Sequence, residues 1–359
     1  MSWSDNESSG AESATGAGNV AYRYRVFGLC METTHRFRFP LSAAPATAEC
    51  DLTFHCELEK AWPTPSSRDA LYLSPARNRF GEPDLEIYAV TGGSLMRFPR
   101  VAEFLVAPGR IDCRLQDGGA GFMVDLYLLG DVLSYYLELT GVSALHAGAV
   151  AHDGQAMLFA ADRAGGKSTL VASLVAAGFH LLADDIAALE PDDAWVTCRH
   201  AFPQLKLTPE QAQRFVGTAE GFEPVHPSFL KLSVPAERVG DIAWESLPVA
   251  RIYLLERRVV TGDDTAIRLE PLGPGEALIQ LVRHSFLAEE LEGCGTAGGQ
   301  GGTAQADMTR ARFHRLAAIA RAVAVKRLCY PSGYQYLPEV HRAVLADLGG
   351  APAGERQAG

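Results

Sequence analysis

HAGAVAHDGQAMLFAADRAGGKSTLVASLVAAGFHLLADD, residues 146–185, carries most of the structural information in this chain. Gln155–Ala160 is a short apolar run suited to a buried strand, and Ala147–His152 is a second one before it. Between them stands Asp153-Gly154, the dipeptide that best suits a two-residue hairpin turn. If the turn is two residues long, His152 faces Gln155, and stepping outward along the ladder brings His146 opposite Ala161. Ser168–Ala177 places Leu170, Val171, Leu174 and Val175 on one helical face, with Gly178 as a stop just past its end. Phe179–Ala183 then reads as another strand, ending at Asp184-Asp185. A strand, a glycine-bearing loop, a helix and a strand form a βαβ unit, expected to bring both carboxylates to the sheet edge where the loop sits.

The loop reads Ala161-Asp162-Arg163-Ala164-Gly165-Gly166-Lys167-Ser168, followed by Thr169. It approximates G-x-x-x-x-G-K-[ST]. In that pattern glycines let backbone N–H groups wrap phosphates, the Lys neutralises them and the hydroxyl holds Mg²⁺. Gly166, Lys167 and Ser168 fit. Ala161 replaces the first glycine, and Ala164 is a further departure, so both alanines are expected to need a backbone compatible with phosphate binding. Residues 161–169 are the candidate nucleotide contacts, with ATP and Mg²⁺ the implied ligands.

Composition narrows the class. The 359 residues hold 32 Lys+Arg against 43 Asp+Glu, a net charge of −11, which argues against a nonspecific nucleic-acid binder. The seven cysteines are scattered without zinc spacing and point to a reducing cytoplasm. No apolar run is long enough for a membrane span. Residues 1–19 and 349–359 read as disordered tails, 20–130 as a β-rich N-terminal domain of mostly antiparallel strands, and 131–348 as the α/β core. Segments in the first domain include Tyr22–Cys30, Cys50–Leu58, Asp84–Thr91 and Gly121–Leu129. Leu126–Leu139 shows helical spacing. Gly293–Thr303 reads as a flexible glycine-rich loop. His35, His55, Asp51 and Glu57 are better explained as isolated polar groups on a sheet than as a metal site.

These residues resemble the HPr kinase/phosphorylase family, whose catalytic domain carries a His-Gly-type strand, a G-D-S-G-x-G-K-S loop and an Asp-Asp pair. His146 precedes Lys167 by 21 residues and Asp184 follows it by 17, in that family's order. Asp162 matches the loop aspartate; Ala161, Arg163 and Ala164 depart from it. The overall layout is similar to HPr-kinase-related proteins of peptide-tailoring systems, including lasso-peptide kinases. The resemblance implies a P-loop kinase core and an ATP-dependent serine/threonine kinase acting on a peptide or protein acceptor. It implies Asp184 as the base that takes the acceptor's proton. Asp185 would assist the metal, with Ser168, or Lys167, and His146 would orient the carboxylate or stabilise phosphate charge. Arg251, Lys231, Lys206 and Arg283 are candidate cations. Two alternatives stay open: a kinase of a small alcohol or sugar, and a nucleotide-binding regulatory protein with little catalysis. The sequence also leaves room for a homo-oligomer.

Overall fold

Short strands punctuated by turn residues build the first third of the chain. The computed structural model describes residues 21–39, 41–56, 62–66, 69–116, 121–192, 195–226, 229–259, 264–288 and 302–349. The tails apart from Gly349, which ends the last helix, most of the glycine-rich loop, and Glu57 and Leu58 of the second strand-like segment lie outside them. Nine strands form one sheet: β1 (Tyr22–Val26), β2 (Leu29–Thr33), β3 (Ser42–Ala43), β4 (Leu52–Cys56), β5 (Ala70–Leu73), β6 (Glu86–Val90), β7 (Gly93–Phe98), β8 (Ala102–Ala107) and β9 (Arg110–Leu115). Their order is β3-β1-β2-β4-β9-β8-β7-β6-β5. All pairings are antiparallel except β2–β4 and β4–β9. The stretch read as one segment at Tyr22–Cys30 is two strands, because Phe27 and Gly28 turn the chain in left-handed backbone, φ 49° and 72°.

Gly121–Leu129 does not continue the strands. It forms helix α1 (Gly121–Tyr127), a π turn at Leu128–Val132, and then helix α2 (Leu133–Leu139). Val124, Leu128, Leu129, Val132 and Leu133 are all buried, which is helical periodicity, and this longer pattern prevails over alternation in the first few residues. Asp125 of α1 is buried against His35 Nε2 at 2.6 Å and accepts the Arg38 N–H at 2.8 Å.

The second sheet contains β10 (Ser143–Leu145), β11 (Ala147–His152), β12 (Gln155–Ala160), β13 (His180–Ala183), β14 (Ala187–Pro191) and β15 (Val196–Arg199). Beyond a separate two-stranded antiparallel sheet of β16 (Gln204–Leu207) and β17 (Leu232–Pro235), it adds β18 (Leu247–Arg258), β19 (Arg268–Pro271) and β20 (Ala324–Pro331). The order is β10-β14-β15-β18-β12-β11-β13, with β20 on β18 and β19 on β20. The helices of this half are α3 (Lys167–Ala176), α4 (Pro209–Val216), α5 (Pro274–Arg283), α6 (Gly302–Ala322) and α7 (Leu337–Gly349).

The hairpin has the expected register, from His152↔Gln155 to Ala147↔Ala160. Asp153 and Gly154 turn it at φ 47° and 72°. β12 and β13 run parallel, as a βαβ unit requires, but β11 lies between them, antiparallel to both. The crossover through α3 therefore spans one strand.

Alternation along β11, β12 and β18 feeds two apolar layers. Ala149, Ala151, Leu158, Ala160, Ile252 and Leu254 join a core shared with the first sheet and α1–α2. Val150, Met157, Phe159 and Tyr253 join a second core with Leu170, Val171 and Leu174 of α3 and Val340 and Val344 of α7. Burial on both faces explains why these strands are nearly all apolar. The protein is thus mixed α/β, with multiple sheets. Among the described residues no helix is long and apolar enough to cross a membrane.

Candidate functional site

The loop after β12 and the turn after β13 open at the same sheet edge, because those strands are parallel. In the loop, Gly165 N–H donates to Asp162 O at 2.8 Å, closing a turn whose third residue, Ala164, is left-handed at φ 63°. Glycine is the ordinary occupant of such a position. Ala161, by contrast, does not take positive φ. The loop instead folds back over it: a Cβ on Gly165 would lie 2.7 Å from Ala161 Cβ and 2.9 Å from Asp162 O. Of the two alanine departures, the one that strains the backbone is Ala164. Gly166, at φ 97°, is the N-cap of α3, and the first-turn amides have no acceptor within the helix. Such a terminus suits an anion.

Lys167 is buried at that terminus and donates to His146 O at 3.3 Å. Burial lowers its pKa to about 8, although Asp185 and Asp184 act to raise it. Ser168 Oγ accepts from Lys231 Nζ at 3.3 Å, and Thr169 Oγ1 from Gln211 Nε2 at 2.6 Å, so the Thr169 hydroxyl is already engaged by α4. Asp162 and Arg163 are exposed; Asp162 pairs with Arg283 at the end of α5 at 2.7 Å. Arg257 of β18 donates to Ala164 O at 3.0 Å.

The two aspartates differ sharply. Ile186 N–H donates to Asp184 O at 2.9 Å, a tight turn that puts Asp185 at its centre with φ 73°. An aspartate in this conformation is strained, and the surrounding structure holds it there. Asp185 Oδ2 accepts from Lys206 Nζ at 2.7 Å, while Oδ1 lies 3.4 Å from His146 Nδ1 and 3.9 Å from Lys167 Nζ. Burial works against its charge, but Lys206, His146 and Lys167 outweigh burial and hold its carboxyl well below the usual range. Asp184 is buried. Its Oδ2 accepts the Lys206 N–H at 2.8 Å, and its Oδ1 has no hydrogen-bond partner. Burial, then the charge of Asp185, push its carboxyl above the ordinary aspartate value.

His146 continues the hairpin ladder to the site. Its N–H donates to His284 O at 2.7 Å, and Leu145 bridges Ser285, so the chain after α5 fixes its position. Burial, then Lys167, lower its pKa to about 4, which leaves the imidazole neutral at physiological pH. The structure therefore gathers His146, Lys167, Ser168, Asp184 and Asp185. Of the four candidate cations, Lys206 and Lys231 reach the cleft and Arg283 its outer rim, whereas Arg251 pairs with Asp347. The contributions of Gln211, Arg257 and His284 have no local sequence signature, since each is delivered by pairing or packing distant in the chain.

Among the described residues no group of three or more His, Cys, Asp or Glu gathers as a metal site. A Mg²⁺ taking few protein ligands and completing its shell with phosphate and water would draw on the Ser168 hydroxyl and on Asp185 Oδ1, which lies 3.4 Å from His146 Nδ1 and 3.9 Å from Lys167 Nζ. His35, His55 and Asp51 do not converge: His35 pairs with Asp125, His55 lies 3.6 Å from Asp112, and Asp51 accepts the Cys30 N–H.

No protein-family model matches the chain, and no curated protein matches it. Among solved structures it is similar to the HPr(Ser) kinase/phosphatase from Coxiella burnetii, at 12% identity and a TM-score of 0.32, over 57% of this chain and 89% of that one. Likeness at that level assigns neither activity nor substrate, which leaves function to be read from the cleft itself.

Proposed function

We propose that this protein is an ATP-dependent phosphotransferase that moves the γ-phosphoryl group to a serine or threonine hydroxyl of a peptide or protein. The observation that carries this reading is the buried, unpartnered Asp184 Oδ1 at the edge shared with the Lys167 loop. An unpaired carboxylate oxygen there is costly to the fold and suits proton acceptance. The first-turn amides of α3 and Lys167 hold the triphosphate, and Ser168 with Asp185 would hold Mg²⁺, whose contribution is to neutralise phosphate charge. Asp184 Oδ1 takes the acceptor's proton as its oxygen bonds to phosphorus. Neutral His146 orients Asp185.

Phe229 and Leu230, 52% and 84% exposed, immediately precede Lys231, which reaches Ser168. Apolar groups presented beside the cleft favour a peptide acceptor over a sugar. A lasso-type precursor peptide belongs among the acceptors tried.

Incubation with γ-labelled ATP, Mg²⁺ and Ser/Thr peptides tests the reading, with sugars and small alcohols as the other arm. Lys167→Ala should weaken ATP binding at least tenfold by calorimetry. Asp184→Asn should keep that binding and lose on the order of 10²- to 10⁴-fold in transfer. Transfer that survives Asp184→Asn removes the base assignment, and absence of nucleotide binding at millimolar ATP removes the whole reading.

A further inference from the structure

We infer that Lys206 is the positioning residue of the aspartate pair, its main chain holding Asp184 with Oδ1 left for the acceptor and its side chain holding Asp185. The inference deepens the phosphotransferase reading and rests on it. Lys206 N–H donates to Asp184 Oδ2 at 2.8 Å, and Lys206 Nζ to Asp185 Oδ2 at 2.7 Å. One residue thus fixes one oxygen of each carboxylate. Asp184 is left with Oδ1 free, and Asp185 with Oδ1 facing His146 and Lys167.

Lys206 is itself held rigidly. It stands opposite Ser233 in the β16–β17 pair, between Leu205 and Leu207, both fully buried in the α3 core. Alternation along the strand sends Lys206 to the other face. Two residues on, Thr208 caps α4 in a capping box with Gln211, whose Nε2 donates to Thr169 in the first turn of α3. The strand that carries the clamp is thereby tied to the helix that carries the phosphate loop.

The placement matters for the chemistry. As the acceptor O–H breaks, its proton passes to Asp184 Oδ1. The acceptor oxygen bonds to the γ-phosphorus, and the bond to the β-phosphate oxygen breaks, with its electron pair leaving on ADP. Both carboxylates must keep their places while this happens, Asp184 toward the acceptor and Asp185 toward Lys167, and the two bonds from Lys206 hold them there.

Lys206→Met removes the ammonium and keeps the backbone N–H; Lys206→Arg restores a cation. Full-length Lys206→Met should lose about 10²-fold in kcat, the cost of a misplaced reacting group, with little change in KM for ATP. Lys206→Arg should recover most of the loss. A crystal structure of Lys206→Met without nucleotide gives a second readout: the Asp185 carboxylate should leave its place while Asp184 keeps its bond from the backbone N–H of residue 206. Lys206→Gln replaces Met if that variant does not fold. Unchanged kcat with Asp185 in its wild-type position overturns the clamp. Wild type inactive on every acceptor, with Asp185 nevertheless displaced in the variant, supports the clamp and sinks the phosphotransferase reading.

Discussion

Asp184 shows at the level of one residue what the proposed proton acceptor costs the fold. Its carboxyl is buried, has one oxygen unpartnered, and is pushed above the ordinary aspartate value by burial and by Asp185. A carboxyl that titrates higher in the folded than in the unfolded chain favours folding at low pH, and that contribution is lost as pH rises through the folded value. Asp184→Asn should therefore melt no higher than wild type below the usual aspartate range. Its advantage should grow as pH rises through that range and level off above the raised value, at on the order of 1–3 kcal/mol. Calorimetric melts of both proteins from acid to neutral pH measure this difference, and a variant less stable at neutral pH would show that Asp184 is well solvated or paired. Asp184-Asp185 stands out in the sequence as two acids after an apolar run, but their inequality does not. It depends on the tight turn at Asp185 and on Lys206, 21 residues away.

The β11–β12 hairpin and α3 were legible as elements because their signals are local: Asp153-Gly154 fixes the turn, and the period of apolar residues fixes the strands and helix. What the sequence did not reveal is that β11 would insert between β12 and β13, since strand order is set by burial across the whole sheet. Gly148 records that arrangement. A Cβ there would stand 2.6 Å from Val171 Cγ2 of α3, so the helix lies directly against the hairpin. Gly148→Ala must push α3 outward or force Val171 from its rotamer, at a cost of about 1–3 kcal/mol. Because α3 begins at the Lys167 loop, ATP affinity should fall with stability. The paired variant Gly148→Ala/Val171→Ala should regain affinity by making room. Denaturant melts and ATP titrations on the three proteins test this; a Gly148→Ala protein with unchanged affinity would show that the loop is held independently of the α3–hairpin contact.

At the scale of the molecule, the two large sheets share a core in which α1 and α2 lie, and one buried anion ties several of its parts together. Glu138, near the end of α2, accepts from Arg315 Nη2 of α6 at 2.6 Å and from the Ala144 N–H of β10 at 3.0 Å, with Arg312 Nε 3.7 Å away. Nothing local marks Glu138 for this role, because Arg312 and Arg315 stand more than 170 residues later, beyond the glycine-rich stretch. Burial pushes its carboxyl up despite both arginines, so the site as a whole is costly, as buried ion pairs often are. Removing one partner is costlier still. Glu138→Gln takes the counter-ion from the half-buried Arg315 guanidinium and should destabilise the fold by about 3–5 kcal/mol. Glu138→Gln combined with Arg315→Met should recover part of that loss by removing the stranded Arg315 charge. Since Glu138 lies outside the cleft, the folded fraction of each variant should bind ATP like wild type. Denaturant melts with parallel ATP titrations separate these effects: a loss below about 1 kcal/mol would mean that water replaces the missing charge, and altered affinity in the folded protein would mean that this buried link also sets the geometry of the cleft.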